Sequence, residues 1–271
     1  MNESKKIFSM LLIVSCVIAT LPGVIAAKSG ADDYTLPEQD GTYDVPGKPG
    51  LKLRVIVHHA KGEAKSAKPA PVATEECGIA DPESANIVSA AGWHLPASWT
   101  FRVNSSSVPA GIRSNVGTII SNSYAAWAAA LDDKVVFSRN PIDTTVSTAK
   151  LDRQNIVTWG RTSGTALAVT YIWYDDAGLA TEIDTVMNNK FKWSWSDPSS
   201  PAWSANPTCA YRGVYDAQDI LTHELGHTVG LDDEMTSDYA DSTMYGYGST
   251  GETKKDTLTT GDIAGASAIY G

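Results

Sequence analysis

Apolar positions along the second half of the chain recur with two periods, two and about 3.6 residues, and the switch between them marks the elements. WTFRVN (99–104) reads as a strand. Behind Pro109, the residues Ile112, Val116, Ile119, Ile120 and Trp127 recur at helical spacing, which predicts a helix from Pro109 to about Asp132. KVVFS (134–138), NIVTW (155–159), ALAVTYIWY (166–174) and ATEIDTVMN (180–188) follow as strands. From about 189 to 213 the chain is rich in Trp, Ser and Pro and shows no period. A second helix is expected from Asp216, a good N-cap, through DAQDILTHELGHTVG, and a last one from Thr260 through GDIAGASAIYG. Strands first and helices afterwards predict an α+β fold rather than a doubly wound one.

The N-terminal part is organised differently. Lys5 and Lys6 precede a run from Ile7 to Ala27 that is almost wholly apolar and closes on Pro22, Gly23 and small residues. That layout predicts a secretory signal peptide over 1–27, with a retained membrane anchor as the alternative. Residues 28–76 then form a pro-region or N-terminal arm: a polar, turn-rich start, one alternating strand LKLRVIVHH that includes His58 and His59, and a linker. Residues 77–271 suffice for one domain with its own core.

Charge and cysteines narrow the setting. A formal net charge of −10 disfavours nucleic acid and anionic membrane as partners. No second apolar span follows the first, so a chain cut after residue 27 would be exported and free of the membrane, in a secreted or extracellular setting. Outside the leader only Cys77 and Cys209 remain, and an even pair in an oxidising compartment reads first as a disulfide.

The densest chemistry lies in THELGHTVGLDDE (222–234). On a helix His223 and His227 share a face and can direct two imidazole nitrogens at one ion. Glu224 stands one step round, placed to take a proton from a water at the metal without ligating it. Zinc suits imidazole and carboxylate donors and keeps a position open in catalytic sites. Gly230 lets the helix stop and the chain turn back. No histidine follows His227 in the sequence, so a third ligand from downstream must be of another type. Asp233 is the candidate, with Asp232 its competitor.

H223-E-L-G-H227-T-V-G230-L-D-D233 resembles the extended zinc motif of metzincin metallopeptidases, with aspartate in place of the usual third histidine, as in the snapalysin-type group. The rest is similar to the matrixin branch: Met244 in STMYGYG fits the methionine-containing turn beneath the metal, and LTTGDIAGASAIYG resembles the closing helix. The resemblance implies a twisted mixed sheet with a long first helix, a zinc helix, a Met-turn and a closing helix. It implies a zinc endopeptidase, acting as a monomer on protein or peptide. A catalytically inactive, zinc-stabilised binding module is the alternative.

By the same resemblance, ALAVTYIWY would be the exposed edge on which an extended substrate lies, and the segment after Met244, including Tyr247, would wall its side-chain pocket. Met244 follows Asp233 by a longer gap than in typical matrixins, so EMTSDYADST should bulge outward. EECGIADP is reminiscent of the pro-region cysteine that caps the metal, which sets a Cys77 switch against a Cys77–Cys209 disulfide. Calcium is a further possible cofactor, since Asp175, Asp176, Glu182 and Asp184 lie close in sequence.

Overall fold

The computed structural model describes residues 34–61, 86–162, 164–197 and 213–271. The leader over 1–27, the linker, Cys77 and Cys209 therefore lie outside the described residues. One sheet dominates. In chain order its strands are β1 (Gly41–Asp44), β2 (Leu51–Ala60), β3 (Ser98–Val103), β4 (Val136–Arg139), β5 (Ile156–Gly160), β6 (Ala166–Asp175) and β7 (Ala180–Asn188). They lie side by side in the order β1-β2-β6-β7-β5-β3-β4. Pairing is antiparallel from β1 through β7 and parallel from β7 to β4, so the sheet is mixed. A short pair, β8 (Trp193–Ser194) and β9 (Tyr215–Asp216), stands apart from it. β10 (Tyr247–Gly248) runs parallel to the end of β2.

Among the described residues, three α-helices complete the α+β layout: α1 (Val116–Ala130), α2 (Ala217–Thr228) and α3 (Thr260–Tyr270). α1 and α2 pack on one face of the sheet. Trp127, fully buried on α1, donates from its indole nitrogen to the Thr222 carbonyl of α2 at 2.8 Å. Trp93 does the same to the His227 carbonyl, also at 2.8 Å. Each ring contributes roughly 2–3 kcal/mol by burial alone, and each fixes a particular turn of the metal-site helix.

α1 starts later than the apolar spacing predicts. Arg113 turns back and donates to the Val108 carbonyl at 3.0 and 2.7 Å, and Ile112 closes a turn on Pro109 at 3.1 Å. The segment 109–115 is thus a turn and a 3₁₀ turn, with Ile112 still in the core.

The larger difference concerns β6. Expected as an exposed edge, it is an interior strand, covered along its whole length by β2. The reason is the alternation in LKLRVIVHHA. Leu53, Val55 and Val57 face away from the helices and join Val169, Tyr171, Trp173 and Val186 in a second core. Ile56 points the other way, into the main core under α2. By the same period of two, His58 faces α2. Residues 41–44 and 51–60 of the N-terminal arm are thus part of the sheet.

Three of the four acids named for calcium are used differently. Glu182 accepts the amides of Asp152 and Arg153 at 2.7 and 2.6 Å, and Asp184 accepts those of Lys150 and Ile156 at 2.9 and 3.2 Å. Asp175 accepts the amides of Ala177 and Leu179 within its own turn, both at 2.9 Å. Two of these carboxylates clamp the loop 150–156 to the sheet and one closes a hairpin. Among the described residues they do not converge on a point where one ion could sit.

Candidate metal centre and active site

α2 carries the centre, and its sequence explains its rigidity. Asp216 caps it, accepting the amides of Gln218 and Asp219 at 2.9 and 3.3 Å. Every residue from Ala217 to Thr228 is buried. Gly226 has no side chain because there is no room for one: a Cβ there would strike the Met244 sulfur and the Trp127 ring. Met244 thus packs directly under the helix between the two histidines. At Gly230 the backbone turns with φ of +105°, and a Cβ would meet the Trp93 carbonyl. That turn brings the chain back over α2.

His223, His227 and Asp233 converge. The two Nε2 atoms are 3.1 Å apart, and Asp233 Oδ1 lies 3.2 Å from one and 3.5 Å from the other. Asp232, the competing residue, does not join them: it is half exposed and faces Arg54 at 3.8 Å. Both imidazoles are fixed from behind. His223 Nδ1 is 2.7 Å from the Thr243 carbonyl and His227 Nδ1 is 2.9 Å from that of Leu231. A carbonyl only accepts, so each Nδ1 carries the proton and each Nε2 presents its lone pair.

Two lone pairs and a carboxylate oxygen aimed at one another repel unless a proton or a cation lies among them. Asp233 Oδ1 is buried and has no conventional hydrogen-bond partner. The donor set is two imidazole nitrogens and one carboxylate oxygen with the outer nitrogens tied back, which is the chemistry of a catalytic zinc site. The residues present fit that ion.

Electrostatics agree. Burial and the nearby Lys255 ammonium hold His223 down to about 4. Burial opposes charge on His227 too, but the Asp233 carboxylate outweighs it and pushes His227 up to about 9. Asp233 itself is held far below the carboxylate range: the histidines outweigh the effect of burial.

Glu224 lies beside this cluster, fully buried. Its Oε2 accepts from the Thr170 hydroxyl of β6 at 2.6 Å, and Thr170 in turn is 3.2 Å from Thr185 of β7. Burial pushes Glu224 up to about 7, against the pull of His227 and the Thr170 hydrogen bond. Its Oε1 is 3.1 Å from His58 Nδ1. Sequence reasoning placed His58 only as a strand residue and did not single out Thr170. The available signal was the strand period, which puts both on the helix-facing side.

Lys255 was missed as well. Fully buried, it donates to the carbonyls of Tyr245 and Tyr247 at 2.6 and 3.0 Å and so holds the segment after Met244 in place. Between Asp233 and Met244, residues 235–238 are exposed, as a bulge requires. Trp193 and Trp195 are engaged within the fold, donating to Asn188 and Gln218.

A buried His–His–Asp cluster above a methionine turn, with a glutamate adjacent, has the arrangement of a metal-dependent hydrolase of α+β architecture. The family model of the matrixins, peptidase family M10, matches residues 92–271, and the chain belongs to that family of zinc metalloendopeptidases. No curated protein matches the chain.

Proposed function

We propose that the protein is an exported endopeptidase in which His223, His227 and Asp233 hold one zinc ion and Glu224 is the general base. The observation that carries this reading is the position of Glu224. It is buried beside the cluster, held by Thr170, and poised near neutral pH by its surroundings. A purely structural metal site needs no such group.

Bound at the cluster, zinc supplies Lewis acidity to the peptide carbonyl and to the attacking water. The chain's own residues do the rest. Glu224 takes the proton from the water and delivers it to the leaving amine. Thr170 orients the carboxylate, and Thr243 and Leu231 orient the imidazoles. Lys255 braces the segment Tyr245–Tyr247 beside the cluster by donating to its carbonyls. Export follows from the apolar leader with its basic start and small closing residues. Among the described residues no helix is long and apolar enough to cross a membrane.

The test is cleavage of casein by the purified, zinc-loaded protein. Hydrolysis should cease on addition of a zinc chelator and return with zinc. Chelator-resistant cleavage would contradict the reading.

A further inference from the structure

One turn before His223, a second group of buried carboxylates surrounds the start of α2: Asp216, Asp219 and, from the turn at 254–256, Asp256. Asp216 is fully engaged. One oxygen caps α2 and the other accepts the Ser196 amide at 2.7 Å. Asp219 is engaged by half: its Oδ1 accepts the Lys255 amide at 2.8 Å, while its Oδ2 is buried without a hydrogen-bond partner. Asp256 is only 8% exposed, and neither of its oxygens has a partner among the described residues. Three carboxylate oxygens are thus orphaned in one region.

The neighbouring ammonium groups do not satisfy them. Lys254 lies 3.1 Å from both Glu252 and Asp241. Lys255 directs its ammonium at the Tyr245 and Tyr247 carbonyls, and only its main-chain amide meets Asp219. Burial pushes Asp219 and Asp256 well above the usual carboxylate range, and Asp256 is raised further by the charges of Asp216 and Asp219. That mutual repulsion marks the three as neighbours. Buried carboxylates without partners are strongly unfavourable. Protonation would remove the charge and still leave acceptor oxygens without donors, whereas one cation answers all three oxygens together.

We propose that Asp219 and Asp256 bind a divalent cation of their own, separate from the zinc cluster, and that calcium is the ion the donors suit. The donors are all carboxylate oxygen, which selects a hard cation, and no imidazole takes part. Calcium accepts a bidentate carboxylate and irregular geometry, with water and carbonyls completing its shell, while magnesium demands a near-ideal octahedron. The positive end of α2 opposes a cation, and the Asp216 carboxylate on its first amides offsets that. Thr257, next to Asp256, is exposed and gives the ion a route from solvent. Bound there, calcium ties the first turn of α2 to the turn 254–256. Lys255 stands in that turn and holds Tyr245 and Tyr247, so the ion braces the segment beside the zinc cluster.

The experiment uses the full chain, freed of other ions on a chelating resin and reloaded with one equivalent of zinc. Calorimetric titration with calcium chloride should find about one calcium per chain. Calcium at about a hundred times its Kd should raise the Tm by about 5 °C or more, and magnesium should act more weakly. Asp219→Asn and Asp256→Asn each keep the side chain's shape and remove a ligand charge. Either should lower calcium affinity by about tenfold or more and abolish most of the Tm shift, with zinc content unchanged. Asp176→Asn, at an exposed acid away from this group, should respond as the parent does. No calcium response in the parent would overturn the proposal. So would a response that both the Asp219 and the Asp256 variants keep in full, because calcium would then be bound elsewhere.

Discussion

Asp262 accepts the main-chain amide of Thr243 at 2.9 Å, and the carbonyl of that same Thr243 receives His223 Nδ1. One carboxylate thereby joins the start of the closing helix to an imidazole of the metal cluster. Asp262 also accepts from Ser242, from the Met244 amide and from both the amide and the hydroxyl of Thr259, completing the capping box of α3. The last helix is therefore part of the support of the centre.

Asp262→Ala should be destabilising on two counts: buried donors lose their acceptor and a helix loses its cap, together about 2–4 kcal/mol. Because Thr243 is then free to shift, zinc affinity should fall by about tenfold or more in the variant that remains folded. Thermal unfolding and zinc titration check both. An unchanged zinc affinity would show that the turn positions itself without Asp262.

The two neighbouring aspartates separate cleanly by geometry. Asp233→Ala should lose stoichiometric zinc, whereas Asp232→Ala, which removes the contact with Arg54 and the acceptor of the Asp233 amide but no atom of the cluster, should retain about one ion per chain. Metal analysis after dialysis distinguishes them. The reverse pattern would place the ligand at the wrong residue.

Zinc binding should release protons in a number set by the cluster. At pH 8 Glu224, pushed up to about 7, is mostly ionised, and His223, held down to about 4, is neutral. His227, pushed up to about 9, still carries a proton that the ion must displace. Binding at pH 8 should therefore release about one proton, and affinity should fall as pH is lowered below 9, because protons then compete for His227. Calorimetry in buffers of differing ionisation enthalpy measures this. Release of no proton would mean that His227 and Asp233 are not paired in the metal-free protein.

What could be read from the sequence divides by distance along the chain. His223, Glu224 and His227 sit on one helical turn, so helical period sufficed to group them, whereas preferring Asp233 to Asp232 rested on the spacing of the zinc motif that the segment resembles. The strands of the second half and the N-cap Asp216 were legible for the same local reason. Contacts between distant segments were not. Alternation in LKLRVIVHHA shows which side chains share a face but not which strand lies alongside, so the cover over β6 stayed hidden. His58 and Glu224 are 166 positions apart, and His58 and Lys255 are 197 apart. No local pattern reports such a meeting. The acids of β7 misled for a related reason: their backbone partners in the loop 150–156 come from another part of the chain.

The central claim is that Glu224 acts on a zinc-activated reaction as a base, and Glu224→Gln tests it most directly. The substitution keeps the side chain's shape and leaves His223, His227 and Asp233 untouched. Zinc content should stay at about one ion per chain while casein hydrolysis falls by roughly 10²-fold or more. A zinc-loaded Gln variant that cleaves as fast as the parent would contradict the account.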